Sequence, residues 1–112
     1  MTLREKQSLF VKLVARLIDR AYAGGFELTF GETWRHPVTA EHFAHLGIGS
    51  INSLHVDRLA IDLNLFKDGK WLEDTESHRF LGEWWENQHE LCAWGGHFND
   101  GNHYSLKHQG RK

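Results

Sequence analysis

The segment Leu59-Ala60-Ile61-Asp62-Leu63-Asn64-Leu65-Phe66 alternates at period two, with an acid on the side opposite Ile61 and Leu63. Such alternation predicts a strand with one face on a core and the other toward a cleft. An acid on the inner side of an apolar strand is costly unless a cation or hydrogen bonds meet it. The rest of the chain must therefore wrap so that positive or donor groups reach Asp62.

The flanking elements can be read from spacing. Phe10, Leu13, Val14, Leu17, Ile18 and Ala21 predict an amphipathic helix over residues 3–23, ended by Gly24-Gly25 as a left-handed cap. Phe26 to Phe30 alternates and predicts a strand. Pro37 marks a break, and Thr39 is the expected cap of a short helix over 39–46, stopped by Gly47 and followed by the loop Gly47-Ile48-Gly49-Ser50. Lys67-Asp68-Gly69-Lys70 predicts a hairpin turn, with Trp71-Leu72 beginning the return strand. Thr75 is read as the cap of a third helix over 76–91, carrying Phe80, Leu81, Trp84, Trp85 and Leu91. After Gly95-Gly96 and the turn Asp100-Gly101-Asn102, a strand is expected over His103 to Leu106. This order predicts an α+β fold: a small, mostly antiparallel sheet with helices on one face and a cleft on the other. At 112 residues, the chain reads as a single domain spanning 1–112.

Composition removes several function classes. The net charge of −2 gives no global attraction to nucleic acid or anionic membrane, and the basic stretch Lys107 to Lys112 reads as a solvated terminus. Cys92 is the only cysteine, which rules out an internal disulfide and a Cys-type zinc finger; between Leu91 and Ala93 it reads as a buried, inert thiol. Lys12, Arg16 and Asp19 interrupt the N-terminal apolar residues, so no signal peptide is expected, and no run approaches membrane-spanning length. The expectation is a monomer made in the cytosol, with neither a nucleic-acid nor a membrane partner.

Nine histidines against fifteen acids is the compositional oddity, since histidine is the commonest metal ligand. His55 stands seven residues before Asp62, and Asp100 stands three before His103. Together they offer what a catalytic zinc requires: three N/O ligands, one position left for water, and a further carboxylate to take a proton. Each residue alone has an ordinary reading, a surface histidine or a turn acid. His97 is a rival third ligand, but it sits in a glycine-rich loop where His103 sits on a strand. Arg35 is the candidate stabiliser of a developing oxyanion, its alternative being a surface pair with Glu32. Ser53 is placed to bind substrate or orient the ligand loop. Trp94 is expected to wall the cleft, and Trp34, Trp71, Trp84 and Trp85 to pack the core.

Ser53-x-His55-x4-Ala60-x-Asp62 resembles the Ser-x-His-x-x-Gly-x-Ala-x-Asp signature of the zinc D-alanyl-D-alanine carboxypeptidase and L-alanyl-D-glutamate endopeptidase family, which includes phage endolysins and vancomycin-resistance dipeptidases. Trp94-Gly95-Gly96 followed by Asp100-x-x-His103 is similar to the family's second block, and Glu32-x-Trp34-Arg35 to its first. The blocks occur in order across residues 32–103. The resemblance implies a hedgehog/D,D-peptidase-like fold, zinc held by His55, Asp62 and His103, Asp100 as general base and Arg35 assisting the transition state. It implies a peptidoglycan stem peptide as substrate, cut at an L-Ala–D-Glu or D-Ala–D-Ala bond. It further implies a phage or prophage lysis enzyme that reaches the cell wall by holin-type release. Two departures stand out: Arg58 occupies the signature's glycine position, and Asp100 stands where many relatives carry Glu. Two readings from other classes are a non-catalytic zinc-binding module of the same fold, and a small His-Asn-His-type nuclease prompted by Asn102-His103. The nuclease reading leaves His55 and Asp62 without a role.

Overall fold

The computed structural model describes residues 1–49 and 52–112, so Ser50, at the end of the expected Gly47–Ser50 loop, lies outside the described residues. Helix α1 runs Leu3–Ala23 and opens with a capping box, in which Thr2 and Glu5 each bond the other's backbone N–H. It closes through Gly25, whose φ of +85° lets the Phe26 N–H reach the Ala21 carbonyl at 3.1 Å and the Gly25 N–H reach Tyr22 at 3.0 Å. This is the Schellman geometry that a glycine pair makes cheap.

The predicted central strand, β2, spans Ala60–Lys67, and β1 (Glu27–Phe30) lies antiparallel along one side of it. Its other side carries two partners: β3 (Lys70–Leu72) next to its C-terminal half and β5 (His103–Leu106) next to its N-terminal half. The last strand, β4 (Cys92–Trp94), pairs with β5, so the order is β1-β2-β5-β4 with every pairing antiparallel. The hairpin between β2 and β3 turns on Asp68 (φ 51°) and Gly69 (φ 77°), two left-handed residues that match the twist of the flanking strands.

Register sorts the side chains onto two faces. Ile61, Leu63 and Leu65 point inward with Tyr104, and against them pack Phe10, Leu13 and Leu17 of α1 and Leu81 and Trp85 of α3 (Arg79–Glu86). Trp85 sits at the centre, edge-on to both Phe10 and Tyr104, and its indole N–H donates to the Ala93 and Ser105 carbonyls at 3.1 Å each. The fold is thus α+β, with α1 and α3 on one face of an antiparallel sheet. Among the described residues no helix is long and apolar enough to cross a membrane.

Three local expectations are corrected. The short helix α2 spans Pro37–His45, because Pro37 serves as its first residue and His36 Nδ1 accepts the Val38 N–H at 3.1 Å; Thr39 lies inside it. The third helix is a 3-10 turn (Glu76–His78) running into α3, and it stops at Glu86. Asp74 bonds the Ser77 backbone N–H there, while the Thr75 hydroxyl accepts the Gly101 N–H at 3.2 Å. Leu91 lies beyond α3, and the segment after it becomes β4 because the Trp85 indole and β5 take up its backbone groups. The tryptophans divide differently as well. Trp34 and Trp71 are 38% and 56% exposed, whereas Trp85 and Trp94 are buried.

Cys92 is buried on β4, and loss of hydration pushes its thiol up to about 12. Iodoacetamide at pH 8 should leave the native protein unmodified over the time in which urea-unfolded chain reacts fully, as mass spectrometry would report. Equal rates in the two states would contradict the burial of β4.

Candidate metal centre

Strand register builds the site. His103 on β5 is the cross-strand partner of Asp62 on β2, so both side chains leave the same, open face of the sheet. His55 comes from the turn that leads into β2, which folds back through the Leu59 N–H to Leu54 carbonyl bond at 3.0 Å. That turn requires Arg58 to adopt φ 59°, the left-handed region that the signature's glycine would enter freely. Arg58 offsets the strain by laying its guanidinium over the Trp34 ring, 4.6 Å from the centroid. The turn survives the departure.

The two imidazoles converge on one oxygen. His55 Nε2 lies 3.2 Å and His103 Nδ1 3.4 Å from Asp62 Oδ1, with ring centroids 5.2 Å apart. One ligand atom from each of His55, Asp62 and His103 lies within 4.8 Å of the other two. Burial alone would raise the Asp62 carboxyl, but the His103 and His55 imidazoles outweigh it and hold the group at about 2. Asp62 Oδ1, His55 Nδ1 and His103 Nε2 are nonetheless buried without a well-formed hydrogen bond. A buried carboxylate oxygen facing two imidazole nitrogens is a donor set for a divalent cation, and two imidazoles with one carboxylate suit zinc.

The groups around this triad are ordered by it. Glu32 Oε1 stands 3.5 Å behind His55 Nδ1 and pairs with Arg35 at 2.6 Å, so a carboxylate backs the imidazole and an arginine backs the carboxylate. Glu32 and Arg35 therefore do pair, but within the cleft wall rather than on an exposed surface: Arg35 is 14% exposed. The sequence signal for Glu32 was its spacing of three from Arg35, and its place behind His55 was not read from it. Ser53 Oγ accepts the His55 backbone N–H at 3.2 Å, bracing the ligand turn.

Asp100 Oδ2 lies 3.9 Å from His103 Nδ1, half exposed to the cleft. Burial lifts its carboxyl above the usual range and the charge of Asp62 adds to this, while His103, His55 and Arg35 draw it down. The close approach depends on Gly95, where a side chain would meet the Asp100 carbonyl oxygen at 2.2 Å.

These residues line a cleft of about 360 Å³, which holds Arg35, Ser53, His55, Asp62, Asp100 and His103. Phe98, edge-on to His103 at 5.8 Å, and Arg111 line it too. Neither was singled out by the sequence; Arg111 belongs to the basic tail read as solvated, yet it is fixed by Asp57 at 2.6 Å and the Asn52 carbonyl at 3.2 Å. Two candidates fall elsewhere. Trp94 is the register partner of Tyr104, so it faces the core, donating its indole N–H to the Gly101 carbonyl at 2.7 Å instead of walling the cleft. His97 points away and bonds Glu86 at 2.8 Å. Asn102 lines a neighbouring pocket and not the cleft.

The crystal structure of Serratia marcescens L-Ala D-Glu endopeptidase ChiX superposes with a TM-score of 0.73, covering 88% of this chain and 77% of that one at 15% identity. The chain has that endopeptidase's fold. The architecture expected from the three sequence blocks is thus the one found. No protein family matches the sequence in a scan, and a search of curated proteins finds no match.

Zinc at one hundred times its dissociation constant should stabilise the protein by about 2.7 kcal/mol, raising Tm by roughly 10 °C. His103→Ala should abolish the shift, while His97→Ala should keep it. A zinc-induced shift that survives His103→Ala would contradict the assignment.

Proposed function

We propose that this chain is a zinc-dependent peptidase that hydrolyses L-Ala–D-Glu-type bonds in peptidoglycan stem peptides, serving phage or prophage lysis after holin-type release. The observation that carries the reading is the meeting of His55 and His103 on one Asp62 oxygen, in a cleft that also holds Asp100 and Arg35. A metal site used only for structure has no need of a half-exposed acid beside it and a cation across from it. The name of the Serratia structure supports the L-Ala–D-Glu bond over D-Ala–D-Ala. Arg35 and Arg111, each anchored by an acid, hold guanidinium groups at the cleft where the carboxylates of a stem peptide can meet them.

His55, Asp62 and His103 would hold the zinc, which would supply Lewis acidity for activating water near neutral pH. Asp100, half exposed in the cleft beside His103, would take the proton of the attacking water and return it to the leaving amine. Arg35 is held by Glu32 while its Nε remains without a hydrogen-bond partner among the described residues. It offers N–H donors to the carbonyl oxygen as that oxygen becomes negative. Glu32 stands 3.5 Å behind His55 Nδ1, and Ser53, accepting from the His55 backbone N–H, keeps its hydroxyl proton for substrate.

Asp100→Asn should retain zinc and lose about 10²- to 10⁴-fold in kcat. Arg35→Ala should lose about 10²- to 10³-fold. Both can be read by mass analysis of a purified muropeptide after digestion. A normal rate in the Asn variant, or cleavage of plasmid DNA in place of muropeptide, would sink the reading.

A further inference from the structure

A second pocket of about 230 Å³ opens beside the cleft, across the Asp100-Gly101-Asn102 turn, and Asp100 borders both. Register explains the adjacency. Asp62, Asn64 and Phe66 leave the same face of β2, and Trp71 is the cross-strand partner of Phe66. The open sheet face therefore runs without interruption from the metal ligands to Trp71. Asn64 stands roughly 7 Å along the strand from Asp62, and Phe66 roughly 13 Å.

The two cavities differ in charge. Arg35, Arg111 and Lys112 line the cleft together with Asp62 and Asp100, whereas the pocket has no lysine or arginine in its lining and carries Glu73 and Asp100 as its only acids. An anion entering it would meet like charges without a counter-charge. What the pocket offers instead is the Asn64, Asn99 and Asn102 amides, the Thr75 hydroxyl and the Trp71 indole. The Asn102 amide presents both donors and its acceptor. Asn64 already donates one N–H to the Thr29 hydroxyl at 3.2 Å and Asn99 Oδ1 accepts from the Thr75 hydroxyl at 3.4 Å, leaving Asn64 its oxygen and one N–H and Asn99 its two N–H donors. Among the described residues neither the Asn102 amide nor the Trp71 N–H has a hydrogen-bond partner, and Trp71 is 56% exposed on a three-residue strand. His78 also lines the pocket. It is buried, with Nδ1 2.9 Å from the Tyr104 hydroxyl, and burial lowers its proton affinity so that it adds no charge at neutral pH.

We propose that this pocket binds a neutral, acetamido-bearing sugar of the glycan strand, with its ring against Trp71 and its hydroxyl and amide groups on the asparagines. The inference rests on the peptidase reading and deepens it. An L-Ala–D-Glu bond lies one residue from the sugar that carries the stem peptide, so that sugar must sit within roughly 4–8 Å of the reacting bond. Asn64 stands at that range from Asp62, while the acidic remainder of the peptide is left to the arginines of the cleft.

The test is a titration of the zinc-loaded protein with the N-acetylglucosamine disaccharide, followed by ¹H–¹⁵N shifts. Saturable shifts at the Trp71 indole and the Asn64 and Asn102 side-chain amides are expected at millimolar sugar, and Trp71→Ala should abolish them while leaving Tm unchanged. Absence of these shifts overturns the proposal whatever the peptidase activity. In parallel, Trp71→Ala should lower kcat/KM about tenfold on a glycan-linked stem peptide and leave the sugar-free peptide unaffected. Equal losses on both substrates would also overturn it. Sugar-induced shifts in a protein that hydrolyses neither substrate would support the pocket and overturn the peptidase reading, so the two failures are distinct.

Discussion

A single carboxylate oxygen, Asp62 Oδ1, sets the terms for this fold. It is buried, ionised and flanked by two imidazoles at 3.2 and 3.4 Å. A buried carboxylate oxygen is costly unless donors or a cation meet it, so the surrounding chain must hold both imidazoles in place. The antiparallel register of β2 and β5 supplies one of them, and the turn closed by Leu54 and Leu59 supplies the other. A divalent cation held between the two rings would supply the positive charge that a buried carboxylate calls for. Arg58 in a left-handed conformation, stacked on Trp34, is a cost the chain bears to keep His55 over the strand.

That constraint divides the sheet. One face is closed by α1 and α3 over Ile61, Leu63, Leu65 and Tyr104; the other stays open and polar from His103 to Trp71. Charge is sorted along the open face. Arginines border the cleft, and amides with acids border the pocket beyond Asp100. The proposed chemistry and the proposed sugar contact are neighbouring stretches of one surface, built by the alternation of β2.

Much of this was legible in the sequence, and for identifiable reasons. Period-two alternation in β2, the Asp68-Gly69 turn and the i, i+3, i+4 stripe of α1 are local signals, and local signals survive folding. The metal-site residues were legible because His55, Asp62, Asp100 and His103 keep fixed intervals on short elements. What failed depends on distant partners. β4 is only three residues long and is a strand because β5 pairs with it, and α3 ends early because that strand follows it. Trp94 faces the core and Trp71 the open side because register alone decides which faces the core, and register is invisible until strands pair. Glu32 and Arg111 reach the site through ion pairs with residues far from it in sequence or around a turn, a relation that spacing does not reveal.

The most direct measurement is zinc-edge anomalous diffraction from crystals of the zinc-loaded protein. The account predicts one peak within about 2.0–2.2 Å of a nitrogen of His55, a nitrogen of His103 and an oxygen of Asp62, with the remaining coordination position open toward Asp100. A peak at His97 and Glu86 instead, or no peak at Asp62, would contradict it.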